Sequence, residues 1–262
     1  MRKKNPAKSI QRITSAFVIT GVLLLFLGCK SNSGPTEPDD RSVLRLIAST
    51  LHFEYYFDGP DQSQIQSVMN ALEGNYDRIT SDLAAFDMPV VRAKIWSDGT
   101  GFYNTMEEDL GRIFAGAKGY VMGPDELRLL LTHRGDVNAV HEFVHCVSLH
   151  LNDTIANNPR WLWETVALYL SQDFINPNLL SYMKAGNYPT IDDLNSSYNL
   201  DQSVYEVGYV LGEYIVENWG IVALRDLLLQ NGDIQAVLGI SVQDLETGWF
   251  DWLEKKYLPG PS

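Results

Sequence analysis

The chain has 262 residues, 45% of them hydrophobic, and sets 20 Lys and Arg against 33 Asp and Glu for a net charge of −13 at neutral pH. That length suits one domain with a substantial core. The acidic excess argues against nucleic acid as a partner and against adsorption to anionic lipid.

The N-terminus reads as a targeting segment. Arg2, Lys3, Lys4, Lys8 and Arg12 precede Ile13–Leu27, an apolar stretch of fifteen residues broken only by small polar groups and Gly. It is short for a membrane span and suits a signal peptide. Gly28-Cys29 closes it and resembles the lipobox of bacterial lipoproteins, although Leu27 stands where a small residue is usual. The resemblance implies a signal over 1–28 and a lipid on Cys29 that anchors the chain to a membrane of the cell envelope, outside the cytoplasm. An ordinary cleaved signal and an uncleaved anchor are the alternatives. Residues 29–42 are polar and rich in Ser, Pro and Asp, and are expected to form a flexible tether. Loss of 1–28 removes five basic residues and no acidic one, leaving 15 against 33, a net charge of −18. That favours solubility outside the cell.

The remaining stretch, 43–260, is expected to fold as one domain. Its front part, 43–135, mixes strand and helix. Leu51–Phe57 alternates weakly, as a strand does. Asp61–Leu83 carries Ile65, Val68, Met69, Leu72, Tyr76, Ile79 and Leu83 at helical steps. Val90–Trp96 alternates and is ended by Asp98-Gly99. A short helix is expected over 104–115, then strands at Gly119–Met122 and Leu127–Leu131 around a turn at Gly123-Pro124. From Asp136 the pattern turns helical, with helices predicted at 137–150, 159–172, 201–218, 221–230 and 241–256. Ser241 and Asp244 form a capping signal, and Gly220 and Gly239 look like helix stops. The expected class is α+β: a small mixed sheet followed by a mostly helical part.

Residues 141–145 read His-Glu-Phe-Val-His. Asp136 is a suitable N-cap, and Val137, Val140, Val144, Val147 and Leu151 mark one apolar face. On a helix, two imidazoles four residues apart are separated by about 6 Å of rise and roughly 40° of rotation. His141 and His145 can therefore converge on one ion. Glu142 lies to one side, placed to reach a water. This is the arrangement of zinc metalloproteases, two nitrogen ligands and a general base in one turn. The competing explanation is a chance match with histidines satisfied in the core.

A third ligand is needed. The pattern with a later Gly and His would place them at 148 and 151, but Ser148 and Leu151 stand there and His150 is one residue out of register. Glu164 is the better candidate. It lies in an apolar helix, Trp161-Leu162-Trp163-Glu164-Thr165-Val166-Ala167, opened by Asn158 as cap and Pro159 at the first helical position. An unpaired carboxylate there would cost several kcal/mol to bury. A metal ion removes that cost; so would an Arg partner or a water-facing position. Cys146 is about 100° round from His145 and reads as a small buried thiol, not a ligand. With Cys29 lipidated, no disulfide within the chain can form.

His141-Glu-x-x-His145 followed by Glu164, with eighteen residues between His145 and Glu164, resembles the gluzincin zinc peptidases. The spacing is similar to that of aminopeptidase N, a relative of thermolysin. Trp161-Leu162 before the Glu and Ala167 after it look most like the compact peptidase MA-like domains, which often have Glu-Gly where Glu164-Thr165 stands. Val204-Tyr205-Glu206-Val207-Gly208 is similar to a stretch of the aminopeptidase relatives whose Tyr bonds the oxyanion, and 240–252 looks like their closing helix. The resemblance implies a thermolysin-like catalytic domain with Zn2+ on His141, His145 and Glu164. It gives Glu142 as general base, Tyr205 as oxyanion donor and an extended peptide or protein substrate held by an edge strand near 119–131. Gly119–Gly123 does not reproduce the amine-binding motif of the aminopeptidases, so an endopeptidase is expected. The acidic charge would bias the cleft toward basic peptides. A monomer is expected. The rival from another class is a zinc-binding surface lipoprotein with weak or no turnover, serving as a binding module.

Overall fold

The computed structural model describes residues 43–196 and 201–258. The signal segment, Cys29 and the tether lie outside the described residues. Five strands are present: β1 (Arg45–Ser49), β2 (Phe53–Phe57), β3 (Val91–Trp96), β4 (Gly119–Gly123) and β5 (Glu126–Leu130). The front helices are α1 (Gln66–Asp82) and α2 (Gly99–Leu110). After the sheet come α3 (Gly135–Leu151), α4 (Arg160–Ser171), α5 (Ser181–Lys184), α6 (Ile191–Leu194), α7 (Val204–Trp219), α8 (Val222–Leu229), α9 (Ile234–Leu238) and α10 (Val242–Lys256). The class is α+β, a small mixed sheet followed by helices.

The sheet runs β1-β2-β3-β5-β4. The central pairs β2/β3 and β3/β5 are parallel, and the outer pairs β1/β2 and β4/β5 are antiparallel. The parallel pairs need long crossovers, which α1 and then α2 with β4 supply. Alternation sorts the two faces. Phe53, Tyr55 and Phe57 register with Val91, Ala93 and Ile95 on one face, and all six are buried. Leu127 and Leu129 extend that face across β5. It packs on α1 and α3, where Phe143 sits edge-on to Phe53 and stacks on Tyr76 at 5.2 and 5.5 Å between centroids. Truncating such a ring costs about 3–5 kcal/mol. The opposite face carries Arg92, Lys94, Glu126 and Arg128. Its charges pair laterally, with Lys94 2.9 Å and Arg128 2.7 Å from Glu126. The end of that face is covered by α2 through Phe102 and Met106, against Trp96 and Leu130.

Several helix starts differ from expectation; α7, expected from 201, begins at Val204. The helix expected at 104–115 begins at Gly99, because Asp98 accepts from Thr100 N and Gly101 N and caps it. It ends at Leu110, where Gly111 takes a φ of 70°. Asp136 is not the cap of α3: the cap position falls on Arg134, and Asp136 lies in the first turn, accepting from Val137 N at 2.9 Å. Carboxylates there still complement the helix dipole. Pro159 is the N-cap of α4, in extended conformation, and Arg160 is the first helical residue. The capping box of Ser241 and Asp244 is present at α10, and Gly220 and Gly239 close α7 and α9.

One buried core runs from the sheet through α3 and α4 to α7, α8 and α10, ending on the fully buried Trp249. Helix α3 is its hub, with apolar surface toward α1, β5 and α4. That packing holds one side of α3 against the sheet edge while His141 and His145 project toward α4. Among the described residues no helix is long and apolar enough to cross a membrane.

Candidate metal centre

Two helices, α3 and α4, assemble the site. His141, Glu142 and His145 lie within one turn and a half of α3. Glu164 lies on α4, which packs along α3. The Nε2 atoms of His141 and His145 stand 3.3 and 3.7 Å from Glu164 Oε2. One ligating atom from each of the three lies within 4.8 Å of the other two. The two imidazole rings meet at right angles, 4.7 Å apart. Trp163, beside Glu164, lies flat on His145 at 3.9 Å and 4° between planes. The stack holds the ring on one side, and among the described residues His145 Nδ1 is buried without a hydrogen-bond partner. His141 keeps 15% of its side chain exposed, against 6% for His145 and 6% for Glu164, so the site opens on the His141 side.

The residues fit a cation. Among the described residues Glu164 Oε2 is buried, meets no hydrogen-bond donor in good geometry, and faces both ring nitrogens. A carboxylate lone pair and two imidazoles converging on one point form a donor set for a divalent metal of borderline softness. Burial pushes Glu164 up, yet the two imidazoles facing it, His141 and His145, outweigh burial and hold the carboxyl well below the usual range. Burial would depress His141, but Glu164, with Glu142 and Asp173 behind it, reverses the direction to upward. Burial dominates at His145, which is lowered to about 4, with the His141 charge adding to the effect.

Glu142 is raised to about 8 by burial, with the His141 charge opposing and the Glu164 charge adding to the rise. A glycine leaves space for it. A Cβ on Gly119, at the start of β4, would lie 2.5 Å from Glu142 Cγ and 2.5 Å from Oε1. The edge strand and the carboxyl of Glu142 therefore touch, and any side chain at 119 would displace one of them.

Tyr205 reaches the site from α7. Its phenol O–H donates to Glu164 Oε1 at 3.0 Å, which leaves Oε2 for the imidazoles. Close packing of α7 on α4 brings it there. A Cβ at Gly208 would lie 2.7 Å from Leu168 Cδ1, and one at Gly212 would lie 2.7 Å from Tyr169 Cβ. The two glycines, four residues apart, let the helix backbones approach. Beside Tyr205 opens a cavity of about 720 Å³ whose lining includes Tyr188, Asp193, Asp201, Ser203 and Glu206.

Cys146 is fully buried on α3, and burial raises its thiol, as expected of a core residue. His150 is exposed and lies 3.3 Å from Phe86 O, away from the site. Sequence reasoning missed Gly119, the Gly208 and Gly212 pair, and Arg160, whose contacts are described below. Gly119 had a visible signal, a glycine opening the strand nearest the active helix. No family model matches this chain, and no curated protein matches it.

Proposed function

We propose that this protein is a zinc-dependent endopeptidase with a gluzincin-like catalytic domain. The observation that carries the reading is the convergence of His141, His145 and the unsatisfied Oε2 of Glu164, with Glu142 buried beside them against an edge strand. His141, His145 and Glu164 would hold the ion. Zinc bound there supplies Lewis acidity and makes water nucleophilic near neutral pH.

The chain's own residues do the rest. An extended peptide pairs with the free edge of β4, which is bonded only to β5. That places its carbonyl near Glu142. Glu142 takes a proton from the attacking water as the carbon–oxygen bond forms. It then delivers the proton to the leaving nitrogen as the carbon–nitrogen bond breaks, giving a carboxylic acid and an amine. Tyr205 holds Glu164 in the resting protein. During reaction its O–H turns to the carbonyl oxygen, where negative charge gathers. The acidic cavity beside Tyr205 supports a preference for basic side chains. The basic N-terminal segment and Cys29 support a lipid-anchored location in a bacterial envelope. The test is cleavage of denatured casein by the purified zinc-loaded protein. Hydrolysis that stops on chelation, returns with zinc and is absent in Glu142→Gln is expected. Hydrolysis unaffected by chelator, or retained by Glu142→Gln, overturns the reading.

A further inference from the structure

Arg160 is a buried cation whose hydrogen bonds, among the described residues, go to backbone carbonyls and not to a carboxylate. It is the first residue of α4, and its residue exposure is 6%. It stands four residues before Glu164, one helical turn away on the same side of the helix. Its Nη1 donates to Ser196 O at 2.6 Å and to Asp201 O at 2.9 Å. One nitrogen therefore links Ser196 and Asp201, the latter just ahead of α7. Among the described residues its buried Nη2 meets no hydrogen-bond acceptor. The guanidinium carbon lies 5.4 Å from the ring centre of Tyr205. Asp201 also accepts from Ser203 N at 2.6 Å, just before α7 begins.

Burying a guanidinium without a carboxylate is costly. A purely structural link between α4 and these carbonyls needs only a neutral donor. The charge is placed where it would serve the phenol: beside the Tyr205 ring, and on the helix that carries Glu164. We propose that Arg160 is the positioning residue for Tyr205, clamping the start of α7 onto α4 so that the phenol O–H reaches both Glu164 and the reacting carbonyl. The inference rests on the peptidase reading for its catalytic part. Its positional part stands on the contacts alone. The guanidinium adds a second effect, since a positive charge beside the ring stabilises negative charge shared with the phenol oxygen.

The test uses the zinc-loaded protein, a quenched fluorogenic peptide that the parent cleaves, and four variants. These are Arg160→Gln, Arg160→Lys, Tyr205→Phe and the double variant of Tyr205→Phe with Arg160→Lys. Loss of one oxyanion donor costs on the order of 10²-fold or more in kcat. Arg160→Gln is expected to lower kcat about 10-fold or more with KM within about 3-fold of the parent and zinc content unchanged. Arg160→Lys, which keeps the charge and loses the fork, is expected to recover part of that loss. In the Tyr205→Phe background Arg160→Lys should change kcat by less than about 2-fold, because its target is gone. A readout independent of turnover is amide exchange. Exchange over 203–208 should speed up in both Arg160 variants, while 141–147 on α3 stays protected. If Arg160→Gln does not fold, the Lys pair decides alone. Equal loss of kcat with and without the Tyr205 hydroxyl, or unchanged exchange at 203–208, overturns the proposal. A parent that cleaves no peptide defeats the peptidase reading instead, and the exchange result then judges the clamp by itself.

Discussion

Replacing Glu142 by Gln separates chemistry from stability, and the structure gives the sign of both. Take the metal-free protein first. The folded state raises the Glu142 carboxyl from its ordinary 4.5 to about 8, chiefly by burial. The native state then keeps a proton that the unfolded chain has already lost between those two values. Unfolding releases that proton, so stability falls as pH rises through this window. Below the lower value both states are protonated and the penalty vanishes. Full ionisation would cost up to about 5 kcal/mol at 1.36 kcal/mol per unit, and water entering the cleft reduces this to about 2–4 kcal/mol. Gln has no proton to lose. Chelated Glu142→Gln should therefore unfold about 5–15 °C above the parent at pH 8.5 and within about 2 °C of it near pH 4.5, using 2–4 °C per kcal/mol for a domain of this size. Calorimetry at the two pH values reads this directly. In the zinc-loaded protein the same change should lower kcat by at least 10³-fold with zinc content unchanged. A stability gap independent of pH would refute the burial argument. Retained turnover would refute the assignment of the base.

The other residues make separable predictions. Gly119→Ala should keep zinc within about 3-fold in affinity but lower kcat about 10-fold or more, because its Cβ occupies the space of the Glu142 carboxyl; metal titration and peptide kinetics compare the two. Tyr205→Phe removes the hydrogen bond to Glu164 Oε1 and the oxyanion donor together. It should lower kcat on the order of 10²-fold while zinc affinity falls less than 10-fold, and the reverse ratio would make the tyrosine an orienting group only. Cys29→Ser expressed in a bacterial host should move the protein from the detergent phase to the aqueous phase in a Triton partition. Unchanged partitioning would rule out the lipid anchor.

Much of the fold could be read from periodicity. The run from Ile65 to Leu83 and the alternation of Val91–Trp96 both gave elements close to those observed, because one face of each is buried and the spacing records it. The failures lie where local chemistry overrides pattern. Helix α2 opens on Gly99-Thr100-Gly101, poor helix formers that hide its start, and the Asp98 side chain supplies the missing drive. Strand β1 is short, largely exposed and at the sheet edge, so no alternation marks it.

The site was legible unevenly, for a related reason. His141, Glu142 and His145 are one turn of one helix, so their mutual geometry follows from helical rise alone. Glu164 was reachable because a carboxylate amid Trp161, Leu162 and Trp163 needs a reason to be there. Arg160 and Gly119 act across elements distant in sequence, from α4 to the start of α7 and from β4 to α3. No local spacing encodes such meetings. The hydrogen bond from Tyr205 to Glu164 is of the same kind: it depends on how closely α7 packs on α4, and Gly208 and Gly212 set that approach.

The most direct measurement is zinc-edge X-ray absorption on the purified, zinc-loaded protein, with Glu164→Gln alongside. One zinc per chain is predicted, in a shell of two imidazole nitrogens and oxygen with no sulfur, and the variant should lose the metal at concentrations that saturate the parent. A sulfur neighbour, or a parent and variant that hold zinc equally, would contradict the site built from α3 and α4.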